Sequence, residues 1–184
     1  MSKPDEMDVR TTPLPGVLVV EPDVLADHRG HLFEAYHEER YAQAGIAGPF
    51  VQDNLSRSRR GVLRGLHFEA HREQSKLVWV VAGEIFDVAV DVRPDSPTFA
   101  HWFGVRLSGA DHRQIYVPPG FAHGFCVLSE TADVIYKSTT LFAPEYARGV
   151  IWNDPTIRIE WPLADPVLSE RDASLPTLQE LVGT

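Results

Sequence analysis

Leu77-Val78-Trp79-Val80-Val81-Ala82-Gly83-Glu84-Ile85-Phe86-Asp87-Val88-Ala89-Val90-Asp91-Val92-Arg93 is the stretch on which the fold turns. Its first part, Leu77 to Val81, is a continuous apolar run closed by Ala82-Gly83. Its second part alternates. Phe86, Val88, Val90 and Val92 fall on one face of an extended chain, and Ile85, Asp87, Ala89 and Asp91 fall on the other, because successive side chains of a strand point to opposite sides. Pro94, Asp95, Ser96 and Pro97 then make a turn.

The same grammar continues outward. His101 to Leu107, Gln114 to Val117, His123 to Leu128 and Val134 to Thr139 are further short β-branched or aromatic runs. Thirteen glycines and fourteen prolines punctuate the chain, and many short strands at near-regular spacing predict an all-β sandwich or barrel. Two stretches suit short helices. Glu38 to Ala44 ends at Gly45, a suitable C-cap. Leu163 to Leu181 is interrupted by Pro166 and Pro176, so only single turns of helix fit there. No repeat or linker divides the chain, and residues 1–184 are expected to form one domain.

The 184 residues are 43% hydrophobic and 23% charged, enough to bury a core without covalent staples. The single cysteine, Cys126, permits no internal disulfide and suits a reducing cytosol. The net charge of −9 argues against non-specific nucleic-acid binding. An anionic ligand would then need a local cluster of arginines. No apolar run approaches the roughly 20 residues of a membrane span. Met1 to Arg10 lacks the basic start and apolar stretch of a secretory leader. A soluble, cytoplasmic protein is expected.

The polar residues with chemical potential gather in four places. The first runs from Gln52 and Asn54 to Arg64-Gly65-Leu66-His67. An arginine fork suits an anion, and histidine suits proton abstraction near neutral pH. On a regular strand Arg64 and His67 point to opposite faces; Gly65 between them permits a bulge that would bring both into one pocket. An exposed arginine beside a structural histidine is the plainer alternative. The second is Pro118-Pro119-Gly120-Phe121-Ala122-His123. The third is Tyr136-Lys137, where the tyrosine is either a core aromatic or a proton donor. The fourth is Ser169-Glu170-Arg171-Asp172, where the aspartate is either solvated or a cap.

Pro118, Gly120 and His123 match half of the signature of the cupins, which are jelly-roll barrels. Many cupins hold a metal through a His-x-His pair. Here His67 is followed by Phe68 and Glu69, and His101 and His112 are scattered, so no metal site is expected.

An ordered set of segments carries a sharper resemblance. It includes Asp27-His28-Arg29-Gly30, Val51 to Asn54, Val62 to Phe68, Lys76-Leu77-Val78, Gly83 to Asp91, Gly120 to Phe125, Tyr136-Lys137, Trp152-Asn153-Asp154-Pro155 and Ser169 to Ala173. In this order, over most of the chain, they resemble the dTDP-4-dehydrorhamnose 3,5-epimerases. The resemblance implies a catalytic base at His67, a carboxylate partner at Asp172 and an acid on the opposite sugar face at Tyr136. It implies an enolate-stabilising donor at Lys76 and substrate-pocket roles for Gln52, Asn54, Arg64, His123 and Arg171. It also implies that Arg29 and Glu34 reach the nucleotide from a neighbouring subunit of a homodimer. No metal, nicotinamide or flavin would be required.

Three positions depart from the family pattern. Leu141 stands where an aromatic commonly stacks on thymine, with Phe142 expected to face away on a regular strand. Ala147 stands in place of a glutamate, with Glu145 two residues earlier, and Arg171 in place of a lysine. These changes touch nucleotide binding rather than proton transfer. A mono-epimerase acting at C3 or C5 only is the neighbouring alternative; a metal dioxygenase of the cupin type and a non-catalytic sugar-nucleotide binder are the more distant ones.

Overall fold

A computed structural model describes residues 7–46 and 48–183. Most of Met1 to Arg10, read above for a leader, lies outside those residues. The stretch that opened the sequence reading forms two strands, β7 (Lys76–Ala82) and β8 (Glu84–Asp91), but they lie in different sheets. Gly83, at φ +85°, turns the chain from one sheet to the other. A Cβ there would sit 2.1 Å from the Thr131 carbonyl oxygen, so only glycine fits.

Numbered in chain order, the remaining strands are β1 (Asp8–Thr11), β2 (Leu18–Glu21), β3 (Val24–Asp27), β4 (Gly30–Phe33), β5 (Gln52–Arg59), β6 (Leu63–Glu69), β9 (Trp102–Ser108), β10 (Gln114–Val117), β11 (Phe121–Val127), β12 (Thr131–Ser138) and β13 (Ala147–Gly149). One sheet has the order β1-β2-β10-β7-β12-β5, the other β13-β6-β11-β8-β9, and β3 and β4 form a separate hairpin. The strand pairings in both sheets are antiparallel. Two sheets face to face make the expected cupin-type jelly roll.

The alternation in β8 has a meaning the sequence could only half reveal, because both of its faces are buried. Ile85 and Ala89 join Val78, Val80, Val134 and Phe125 in the layer between the sheets. Val88 and Val90, with Phe86 and Val92, form a second layer on the outside of the five-stranded sheet. The C-terminal segment covers that layer with Val150, Ile157, Trp161 and Leu178. A third cluster covers the outer face of the six-stranded sheet, where Leu77, Trp79 and Tyr116 meet Tyr41 and Ile46. Each fully buried aliphatic side chain in these layers contributes about 1.5–3 kcal/mol.

The predicted helices are short, as expected. α1 (Glu38–Gln43) ends before Gly45, which adopts φ +86°. α2 (Glu170–Ala173) is capped by Ser169, and α3 (Leu178–Val182) opens on a capping box between Thr177 and Glu180. The C-terminal segment is fastened to β6: Val167 bridges Val62, Leu63 N donates to Val167 O at 3.0 Å, and Val167 N donates to Gly61 O at 2.8 Å. Asp154 fastens it again, accepting from Leu178 N at 2.8 Å.

The turn after β8 is held by a buried carboxylate. Asp91 accepts hydrogen bonds from Arg93 N, Nε and Nη2 and from the hydroxyls of Ser96 and Thr98. Burial alone would raise its pKa, but these donors together hold it well below the usual carboxylate range.

Candidate active site

At one end of the space between the sheets the apolar filling gives way to polar side chains. They surround a cavity of about 480 Å³, a size suited to a small-molecule ligand. The inward positions of β5 supply Gln52 and Asn54, β12 supplies Tyr136 and Ser138, and β7 supplies Lys76. β6 and β11 close the opposite wall with Arg64, His67, Glu69, His123 and Phe125.

Arg64 and His67 share this cavity because the strand between them is irregular. His67 pairs with His123 and Arg64 with Phe125, so Gly65 and Leu66 together oppose the single residue Gly124. One extra residue on β6 turns an odd spacing into a common face. Gly65 has φ +120°, and a Cβ on it would meet Gly124 Cα and the His123 carbonyl oxygen at 2.7 Å. The bulge anticipated from Gly65 is therefore present, and a side chain there would force the strands apart.

His67 has a carboxylate partner contributed from far along the chain. Its Nε2 lies 2.7 Å from Asp172 Oδ1, while Asp172 Oδ2 accepts from Gly65 N at 3.3 Å. Burial acts to raise the Asp172 pKa, but the hydrogen bonds from His67, Gly65 and Ser169 prevail and hold it below its ordinary value. The carboxylate is thus ionised at neutral pH and accepts only. His67 Nε2 must carry the proton of that bond, so in the neutral ring Nδ1 is the nitrogen with the lone pair. Asp172 is neither solvated nor a helix cap; Ser169 is the cap, accepting from Asp172 N at 3.0 Å.

Tyr136 stands on the opposite sheet. Burial raises its pKa, against an opposing effect of the Arg64 charge, so the phenol keeps its proton at neutral pH. Lys76 reaches across from β7 and donates to the His67 carbonyl oxygen at 3.3 Å. Burial lowers its pKa to about 8, with Glu69 and then Asp87 acting in the other direction. A base, a neutral acid and a cation therefore line one cavity, an arrangement able to remove a proton, return one and stabilise negative charge between the two events.

Other expected site residues divide by location. Gln52 Nε2 donates to Asn54 Oδ1 at 2.9 Å, and Arg64 Nε donates to Ser58 Oγ at 2.9 Å. Arg171 and Ala147 line the cavity. Arg29 and Glu34 do not. Arg29, between β3 and β4, is 80% exposed and paired with Asp27, and Glu34 is paired with Arg40.

One expectation is corrected. Phe142 does not face away from the site but lines it, because β12 stops at Ser138 and strand alternation no longer applies. The Ser138 hydroxyl turns the chain, donating to Thr140 O at 2.8 Å and accepting from Thr140 N at 3.3 Å. Phe142 N then donates to Gln52 Oε1 at 2.8 Å.

Two acidic residues at the site escaped the sequence reading. Asp87 binds His123 Nε2 through both oxygens, at 3.0 and 2.9 Å. A carboxylate between Ile85 and Ala89 on a buried face was its signal. Glu69 lies two residues after His67 and so shares its face of β6. Among the described residues, no three His, Cys, Asp or Glu side chains gather as a metal site would require.

Fold and cavity define a jelly-roll protein of the cupin type, arranged to move protons on and off a bound small molecule. Comparison with known proteins makes this specific. The family model of dTDP-4-dehydrorhamnose 3,5-epimerase matches residues 11–180. A dTDP-4-dehydrorhamnose 3,5-epimerase of Pseudomonas aeruginosa is 53% identical over 161 residues, covering 86% of this chain and 89% of the relative. The crystal structure of a dTDP-6-deoxy-D-glucose-3,5-epimerase from Legionella pneumophila, in complex with dTDP-4-keto-L-rhamnose, superimposes with a TM-score of 0.92 at 46% identity, covering 95% of this chain and 94% of the other. A dTDP-4-dehydrorhamnose 3-epimerase of Streptomyces niveus is 41% identical and covers 95% of this chain and 85% of the relative. The chain belongs to the dTDP-4-dehydrorhamnose 3,5-epimerase family, and is an isomerase.

Proposed function

We propose that this protein epimerises a dTDP-4-keto-6-deoxyhexose at both C3 and C5. The observation that carries the reading is the convergence of the His67–Asp172 pair, protonated Tyr136 and Lys76 on one cavity. A ketone at C4 acidifies the C–H bonds on either side of it. His67 takes the proton from one of these carbons, the C–H electron pair becomes the new C=C bond, and negative charge moves to the C4 oxygen. Lys76 stabilises that charge, a contribution that preorganised cations make large in a site sheltered from water. Tyr136 returns a proton to the opposite face as the carbonyl re-forms. His67 then releases its proton to solvent and the Tyr136 phenolate regains one, after which the same sequence at the second carbon completes the product, and every step is a proton transfer.

Gln52, Asn54, Arg64, His123 and Arg171 bind the substrate, with Arg64 and Arg171 supplying local positive charge against the overall charge of −9. Phe142 offers the ring on which the base stacks. The active form is a cytoplasmic homodimer of one-domain subunits, in which Arg29 and Glu34 complete the neighbour's nucleotide site. Their exposed positions outside their own chain's cavity support this.

The reading is tested by NMR of dTDP-4-keto-6-deoxyglucose incubated with the protein in deuterated water. Deuterium is expected at C3 and C5, with none for His67→Ala. The similarity to a 3-epimerase keeps a second reading in view; deuterium at one carbon alone would select it, and deuterium at neither would end both.

A further inference from the structure

Phe142 is the large apolar side chain at the cavity mouth, and it remains 59% exposed. Packing alone does not fix a ring in such a place. Its backbone, however, is held on both edges of one peptide group. Phe142 N donates to Gln52 Oε1 at 2.8 Å, and Leu141 O, the carbonyl oxygen of the same peptide, accepts from Arg72 Nη1 at 3.1 Å. Gln52 belongs to β5 and Arg72 to the loop between β6 and β7, so two separate elements grip the group from opposite sides. A peptide group is planar, and holding its N–H and its C=O orients the plane from which both flanking residues depart. Phe142 lines the cavity and Leu141 does not.

Arg72 is itself anchored. Its Nε lies 3.6 Å from Glu69 Oε2, and its guanidinium carbon stands over the Tyr146 ring, 5.3 Å from the centre. The Glu69 side chain is only 4% exposed, and its Oε2 also accepts from the Thr140 hydroxyl at 3.0 Å. Gln74 Nε2 donates to that hydroxyl at 2.8 Å, which leaves its proton for Glu69. Ser75 N donates to Thr139 Oγ1 at 2.8 Å, and Ala70 N to Tyr146 O at 2.9 Å. These bonds stitch the loop after β6 to both ends of the segment between β12 and β13. Arg72 alone of that loop reaches the middle, where Leu141 and Phe142 lie. A planar guanidinium can meet a carboxylate, a carbonyl and an aromatic face at once.

We propose that Arg72 is a positioning residue for the nucleotide base, clamping the Leu141–Phe142 peptide so that the Phe142 ring stands ready at the cavity mouth. The proposal rests on the reading of Phe142 as the ring on which the base stacks. Arg72 does not line the cavity, so it acts through Phe142 and not on the ligand. A ring already held in its binding position costs less ordering when the base arrives. Losing the clamp therefore weakens nucleotide binding and leaves proton transfer at His67 and Tyr136 untouched.

The experiment compares full-length wild-type protein with Arg72→Met, Arg72→Lys, Phe142→Ala and the double variant of Arg72→Met with Phe142→Ala. Calorimetry gives the Kd of dTDP, and deuterium exchange into dTDP-4-keto-6-deoxyglucose gives kcat and KM. Both Arg72 variants should raise Kd and KM about fivefold, the scale of one aromatic contact, with kcat within about twofold of wild type. Lysine should not rescue, because it keeps the charge without the fork. The double variant should be no weaker than Phe142→Ala alone, since residues that act through one another are not additive. Losses that add would overturn the proposal. So would wild-type affinity in Arg72→Lys, the mark of a charge acting on the ligand directly, or a fall in kcat with KM unchanged. Fluorophenylalanine labelling reads the ring without ligand. The chain has nine phenylalanines, and Phe142→Leu assigns the signal. That signal should move in Arg72→Met while the others stay, and an unmoved signal would refute the clamp. If wild-type protein neither binds dTDP nor exchanges deuterium, the epimerase reading fails on its own account, and the fluorine signal still decides whether Arg72 holds the ring.

Discussion

Two histidine–aspartate pairs face each other across neighbouring strands, and they are not equivalent. His67 and His123 are register partners on β6 and β11. The His67 side chain is 36% exposed and is held by Asp172 from the far end of the chain; His123 is 7% exposed and is held by Asp87, itself fully buried, from the adjacent strand. The chemistry of the pairs is the same, and access separates them. A base must reach its substrate and exchange its proton with solvent, and His67 can. His123 is fixed within the sheet and forms part of the cavity wall. A carboxylate beside a histidine therefore marks a candidate base only when the ring is also accessible to ligand and solvent.

The sharpest way to break this comparison is to remove each histidine. His67→Asn should lower kcat/KM by about 10³-fold, within the range of lost general-base catalysis, at a smaller stability cost than His123→Ala because Asp172 keeps its bond from Gly65 N. His123→Ala should instead cost about 3 kcal/mol of stability, because it strands a buried Asp87 charge, as read by denaturant unfolding. Equal kinetic losses with equal stability would show the two pairs to be interchangeable. Next in size is Asp172→Asn, expected to lower kcat by about 10²-fold through loss of the orienting charge. The same variant has a signature in stability. The Asp172 pKa is depressed in the folded protein, so the carboxylate's contribution is present above the unfolded value near 4 and lost as pH falls through the folded value. The stability gap between wild type and Asp172→Asn should close in acid; a gap constant from pH 7 to pH 3 would refute the assignment. The smallest effect concerns the cavity mouth. Phe142→Ala should raise KM several-fold, the loss of one aromatic contact, whereas Leu141→Ala should change nothing.

The two pairs also differ in how far the sequence reveals them. For His123–Asp87 the sequence showed the position of Asp87 in the β8 alternation but not its partner on the adjacent strand. Alternation places Asp87 on the inner face of β8, and a buried carboxylate among Ile85 and Ala89 needs a partner. The strands β7 to β12 were legible for the same reason, since period-two patterning is strong where a face is buried. Nothing local connects His67 to Asp172, 105 residues away; only the family resemblance joined them. Strands β1 to β4 were not read either. Each is four residues long, and β1, β3 and β4 lie largely exposed, so they lack the apolar alternation that marks a strand. Phe142 was misplaced because the Ser138 hydroxyl, not a proline or glycine, ends β12. Glu69 escaped because a lone acid next to an aromatic reads as a surface residue.

The clasp of Val167 onto Val62 has a consequence for the birth of the enzyme. Every wall of the cavity up to Ala147 is laid down before the segment that carries Asp172 exists, and that segment docks on β6, a strand made a hundred residues earlier. Contacts so distant in sequence form late, because a long loop must close before they can hold. A chain still emerging from the ribosome could thus own a pocket while lacking an oriented base. The His67–Asp172 contact exists only once that segment is fastened to β6.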